Sequence, residues 1–115
     1  MKLTEQTAKP LAKGTAPLTR KEAEEFMHEI PKWSLGDREI IREFRFKDFH
    51  EAVQFVNNVA EIVNEQDHHP DILISYDKVR LTFSTHKING LSMNDFIVAA
   101  IIDQLVDQQQ TVKAA

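Results

Sequence analysis

The apolar positions of this chain change period several times after Pro17, and each change predicts an element. Thr19-Arg20-Lys21-Glu22 has the S/T-x-x-E form of a capping box, in which a hydroxyl and a carboxylate satisfy amide donors left open at a helix start. A first short helix, from Thr19 to about Glu29, follows, and Pro31 stops it. Trp33-Ser34-Leu35-Gly36-Asp37 reads as a short strand running into a Gly-Asp turn. Over Arg38 to Phe46, one pleat face collects Ile40, Phe44 and Phe46 while Ile41, Glu43 and Arg45 take the other, so the period is that of a strand. Asp48-Phe49-His50-Glu51 then opens a longer helix, along which Phe49, Ala52, Val53, Val56, Ala60 and Val63 recur at helical spacing as a core-facing stripe. It ends near Gln66, because Pro70 disfavours helical geometry at His69.

Two more strands are predicted, Asp71 to Tyr76 and Lys78 to His86, joined tightly at Asp77. The second sets Val79, Leu81 and Phe83 against a polar face of Arg80, Thr82, Ser84 and His86. Ser92-Met93-Asn94-Asp95 caps a last helix running to about Asp107, and its apolar residues, Phe96 to Ile102 with Leu105 and Val106, go nearly all the way round. Such a helix must be covered on every side. A sheet covers one flank, so the pattern predicts a second subunit on the rest. The order α-β-β-α-β-β-α implies an α+β, two-layer domain: a four-stranded antiparallel sheet with three helices on one face. Residues 1–17 read as a disordered leader, 18–108 as a single domain and 109–115 as a frayed tail.

Composition narrows the chemistry. At 115 residues there is room for one domain. The absence of Cys removes disulfides, thiolate nucleophiles, iron–sulfur clusters and thiolate zinc sites, and fits a reducing compartment. A net charge of −4 offers no footprint for a phosphate backbone, so no direct contact with nucleic acid is expected. No apolar run approaches the roughly 20 residues that span a bilayer. The leader lacks the apolar centre of a secretory signal, and the expected location is cytoplasmic.

What remains is histidine and carboxylate chemistry. Asp67-His68-His69-Pro70 lies between helix and strand, and His86 ends the hairpin beside Ser84 and Thr85. The C-terminal end of the long helix and Asp67 both favour imidazolium at His68, a group able to exchange protons near neutral pH. Each feature also has a plain reading: a surface His-His-Pro turn, an exposed strand end at His86, and a helix N-terminal carboxylate at Asp95. No H-E-x-x-H is present and neighbouring side chains of an extended segment diverge, so joint metal ligation by His68 and His69 is disfavoured. A Ser–His–Asp hydrolase built on Ser84 and His86 is weaker, since no oxyanion-hole loop is visible. His28 and His50 receive no role.

His68-His69-Pro70, five residues, Tyr76, nine residues, His86, eight residues, then Asp95 closely resembles the signature of the pterin-4a-carbinolamine dehydratase family. Phe46-Lys47-Asp48-Phe49, Lys78-Val79, Ser84-Thr85-His86 and Gly90-Leu91-Ser92 add to the resemblance, which spans about Leu18 to Val106. It implies dehydration of 4a-hydroxytetrahydrobiopterin to the quinonoid dihydropterin, in tetrahydrobiopterin recycling, without cofactor or metal. By position, His68 and His86 resemble the acid/base pair, and His69 a residue that holds the pterin. Asp67, Pro70, Ser84, Thr85 and Asp95 match family positions around the ligand. Three positions depart: Asn64 stands where the family usually has a charged residue, Ile72 where it often has an aromatic one, and Ile88 where animal members have Cys. The departures predict an altered protonation balance at His68 and an altered wall beside the pterin. The resemblance also leaves an alternative open, a pterin-binding or dimerisation module with weak or altered activity, including one acting on a molybdopterin-related compound. A homo-oligomer, dimer or tetramer, is expected in either case.

Overall fold

In a computed structural model, which describes residues 2–109 and 113–114, the elements follow the predicted order. They are α1 (Arg20–Phe26), β1 (Ser34–Leu35), β2 (Ile40–Arg45), α2 (Phe49–Gln66), β3 (Asp71–Ser75), β4 (Lys78–Phe83) and α3 (Met93–Gln109), with a two-residue β5 (Lys113–Ala114) at the end. The strands run β1-β2-β4-β3, all antiparallel, and β5 adds to β2 through Phe44 and Arg45. This is the α+β architecture expected, with one short strand in the stretch read as a frayed tail; the rest of that expectation, at 110–112 and 115, lies outside the described residues.

Local chemistry accounts for the helix ends. The capping box closes as read, Glu22 N donating to Thr19 Oγ1 at 3.1 Å and Thr19 N to Glu22 Oε1 at 2.9 Å. The first helix is shorter than expected, because its last turn, Met27–Glu29, tightens to a 3-10 geometry ahead of Pro31. Asp48 Oδ1 accepts from Glu51 N at the start of α2. At its far end Asp67 enters the left-handed region at φ 52°, Asp67 N reaching Asn64 O and His68 N reaching Val63 O. That is a Schellman stop, and it fixes the direction in which His68 leaves the helix.

Alternation along the strands sends Ile40, Phe44, Val79, Leu81 and Phe83, all fully buried, toward the helices, and leaves Glu43 and Arg80 outside. Phe44, Phe46 and Phe55 join in tilted ring contacts between sheet and α2. One charged pair crosses this core. Arg42 Nη1 meets Asp103 Oδ1 of α3 at 2.6 Å, and Trp33 Nε1 donates to the same oxygen at 2.8 Å. Burial pushes the Asp103 carboxyl above its usual range, while the Trp33 and Arg42 bonds pull it down.

Part of the stretch read as a disordered leader touches the folded body: Leu3 is fully buried, Leu3 N donates to Glu29 Oε1 at 2.9 Å, and the turn Leu3–Glu5 lies against α3, while residues 12–17 are exposed. Further on, a Cβ on Gly90 would come within 2.7 Å of Pro17 Cβ, so only glycine admits the chain there. The contact of the N-terminal turn contributes to the burial of α3. Phe96, Val98, Ala99 and Ile102 of α3 are fully buried within one chain, since α1, α2 and the N-terminal turn cover the flanks the sheet leaves. Much of the all-round apolar pattern is thereby covered within the chain, and Ile101 and Leu105 stay partly exposed. Greater apolar exposure lies at Phe49 and around the edge strand β3, at Ile72, Leu73 and Tyr76. Among the described residues no helix is long and apolar enough to cross a membrane.

Candidate active site

β4 loses its partner beyond Phe83, which pairs with the first residue of β2. His86 thus does not end a strand, as the alternation suggested. Thr85 bridges to Gly90, and His86 opens a 3-10 turn, His86–Ile88, inside that loop. The loop comes up beside the Schellman stop of α2 and the first turn of α3, which brings together residues from three parts of the chain.

Asp95 sits at the base. It is fully buried, and Oδ2 accepts from Ser92 N at 2.9 Å and from Thr85 Oγ1 at 2.8 Å, with Thr85 and Ser92 hydroxyls 2.7 Å apart. Its other oxygen lies 2.6 Å from His68 Nε2. A carboxylate only accepts, so Nε2 carries the proton and the Nδ1 lone pair becomes the basic site of His68. His68 is further held by stacking on Phe83, centroids 5.8 Å apart and planes within 10°. The side chain is 13% exposed, enough to touch a ligand while its partner is sealed off.

A cleft of about 380 Å³ opens above this pair, lined by Asp67, His68, His69, Ser84, Thr85, His86, Lys87, Asn94 and the N-terminal residues Lys9, Pro10 and Leu11. The volume suits a small heterocycle, since ligand pockets run to roughly 300–1,000 Å³. A larger hollow of about 760 Å³, bounded by residues such as Glu29, Asp103 and Asp107, contains no histidine. His69 Nε2 is 2.9 Å from Asn64 Oδ1, and Ser84 Oγ donates to Arg38 O at 2.7 Å.

The structure brings His68, His69, His86, Asp67, Ser84 and Thr85 to one cleft and leaves two expected ligand residues out of its wall. Asp95 is buried beneath His68, and Pro70 turns the chain into β3. The carboxylate paired with His68 is Asp95, not its sequence neighbour Asp67, which occupies the left-handed turn at the end of α2. Asn64 bears on His69 and not on His68; Ile72 lies on β3, outside the cleft lining. Sequence reasoning missed Lys9, Pro10, Leu11, Lys87 and Asn94; nothing in their residue types or spacing marked them.

The model of a family described as "Pterin 4 alpha carbinolamine dehydratase" matches residues 16–105. A protein of Halorhodospira halophila named "Putative pterin-4-alpha-carbinolamine dehydratase" is 46% identical over 107 residues, covering 91% of this chain and 98% of its own. One of the same name from Methylococcus capsulatus is 45% identical over 105 residues, covering 90% and 92%. Among solved structures, a "transcriptional coactivator/pterin dehydratase" from Brucella melitensis superposes with a TM-score of 0.72 at 33% identity, over 77% of this chain and 97% of that one. A pterin dehydratase-like RuBisCO assembly factor of the alpha-carboxysome, 21% identical with a TM-score of 0.55 over 68% and 93%, shares the fold. The match over most of the folded chain and the level of identity carry one conclusion: the chain belongs to the pterin-4a-carbinolamine dehydratase family.

Proposed function

We propose that the protein dehydrates 4a-hydroxytetrahydrobiopterin to quinonoid dihydropterin, as a step of tetrahydrobiopterin recycling, by histidine acid/base catalysis. The observation that carries this reading is the His68–Asp95 pair at 2.6 Å, opening into a cleft that also holds His69 and His86. In the elimination the N5 proton leaves to a base, its electron pair forms the C4a=N5 bond, and the C4a–O bond breaks. The departing hydroxyl takes a proton from an acid and leaves as water. His68 supplies the base through Nδ1, with Asp95 stabilising the imidazolium that forms; His86, on the exposed loop, supplies the acid. His69, steadied by Asn64, and Ser84 hold the polar edge of the ring. Thr85, in the cleft lining, acts by donating to Asp95. Assistance of this kind amounts to ~10²–10⁴ in rate.

The test is stopped-flow loss of freshly generated carbinolamine. Purified protein accelerates it, and His68→Ala and His86→Ala each remove most of the acceleration. No acceleration over buffer by the unmodified protein overturns the proposal.

A second reading concerns assembly. β3 is an edge strand with Leu73 54% exposed, Tyr76 in the turn that follows it is 67% exposed, and such edges pair readily. We propose a homo-oligomer that covers this edge.

A further inference from the structure

Building on the dehydratase reading, we infer that residues 8–11 are a fixed wall of the substrate cleft and that Asn94 is the positioning residue that holds it there. The wall lies outside residues 16–105, the stretch that the family model matches. Its backbone is clamped on both sides of one residue. Lys9 N donates to Asn94 Oδ1 at 3.0 Å, and Asn94 Nδ2 donates back to Lys9 O at 2.7 Å. Ala8 N donates to Gln66 Oε1 at 2.9 Å.

The two anchors are the elements that place the histidines. Gln66 is the last residue of α2, two before His68, and Asn94 precedes Asp95 in the first turn of α3. The strap is thus registered against the reacting groups, not merely near them. Upstream it is moored by the buried Leu3, and downstream by Leu18 N bonding to Leu91 O at 2.8 Å. Beside Lys9 it presents Pro10 and Leu11 to the cleft, an apolar surface in a site otherwise made of imidazoles, hydroxyls, an amide and charges. A flat bicyclic ligand has apolar faces and polar edges. The strap supplies the face contact, and therefore substrate affinity, while the histidines supply the chemistry.

The experiment uses the full chain, with 7,8-dihydrobiopterin as an unreactive probe, and combines hydrogen exchange with steady-state kinetics on the carbinolamine. The probe is expected to slow exchange in peptides covering residues 7–13 as well as in those covering 67–69. Asn94→Ala removes both clamp bonds and raises KM about tenfold, the effect of one net hydrogen bond or somewhat more, with kcat within about twofold. Leu11→Ser leaves the clamp and the core intact and raises KM in the same way, which keeps the test open if Asn94→Ala does not fold. Protection of 67–69 with no change over 7–13, or an unchanged KM in a folded Asn94→Ala or Leu11→Ser, overturns the strap's role and leaves the dehydratase reading standing. Absence of both turnover and protection at 67–69 overturns the dehydratase reading and the strap's role together.

Discussion

Replacing Asp95 by asparagine isolates what the buried carboxylate does, because the side chain keeps its size and loses only a charge and one acceptor. In the native site Oδ2 accepts two bonds, from Ser92 N and Thr85 Oγ1, and Oδ1 faces His68 Nε2 at 2.6 Å. An amide can occupy the site in two orientations. With its NH2 toward Ser92 N, two donors confront each other in a fully buried position, at a cost of about 1–3 kcal/mol. With its NH2 toward His68, the Ser92 and Thr85 bonds survive, and Nε2 must become the acceptor. The second orientation wins, the imidazole proton moves to Nδ1, and the lone pair assigned as the base disappears.

Restoring the working tautomer costs the same ~1–3 kcal/mol, a population penalty of roughly 5–150-fold. Loss of the negative charge that stabilises the imidazolium adds to it, so Asp95→Asn is expected to lower kcat by ~10²–10⁴. KM changes less than about threefold, because Asp95 does not line the cleft. The assay is stopped-flow turnover of fresh carbinolamine, with a thermal melt to show that the variant is folded. Since Asp95 acts through His68, the double variant with His68→Ala is expected to be no slower than His68→Ala alone. A folded Asp95→Asn variant that keeps kcat within about threefold, or a double variant that is multiplicatively slower, refutes the tautomer argument.

Two further predictions concern the frame. Arg42 is almost completely buried against Asp103, so Asp103→Ala leaves a buried cation without its carboxylate and is expected to destabilise by about 3–5 kcal/mol in urea melts, whereas Arg42→Met with Asp103→Leu is expected to lose only the ~1–3 kcal/mol of a Trp33 Nε1 left without its acceptor; equal losses in both would refute this. Because the folded-state carboxyl of Asp103 is raised, the native state binds its proton more readily than the unfolded chain does, and the resulting stability is full below the ordinary 3.8 and lost as pH rises through the raised value; Asp103→Asn is expected to remove that slope. At the sheet edge, Leu73→Lys is expected to lower the mass found by light scattering while leaving the melting temperature nearly unchanged, since Leu73 is already more than half exposed; a monomeric unmodified protein, or a mass the substitution does not alter, removes the edge-pairing proposal.

The parts of the fold legible in the sequence are those whose causes are local. Thr19 and Glu22, Asp48 and Glu51, and the pre-proline restriction at His69 each act within a few residues, and the helix ends they predict are the ones found. The alternation Val79, Leu81, Phe83 likewise identifies the inward face of β4, because pleating alone decides it. The partner of His68 obeys no such rule. Asp67 is adjacent and Asp95 is 27 residues away, yet the chain crossing between the α2 stop and the α3 start selects the distant carboxylate.

The N-terminal stretch shows the same limit from the other side. Its fully buried apolar residue, Leu3, cannot by itself set up a periodic pattern, and the bonds that hold residues 3, 8 and 9 run from backbone amides to the side chains of Glu29, Gln66 and Asn94. Backbone donors are the same at every non-proline position, so a segment fixed in this way carries no compositional mark. That segment also covers part of α3, a contribution that the apolar pattern of the helix, read by itself, does not reveal. Both features have one cause: the N-terminal strap is held by its backbone where other elements are held by side chains, and it lies against both the core and the cleft.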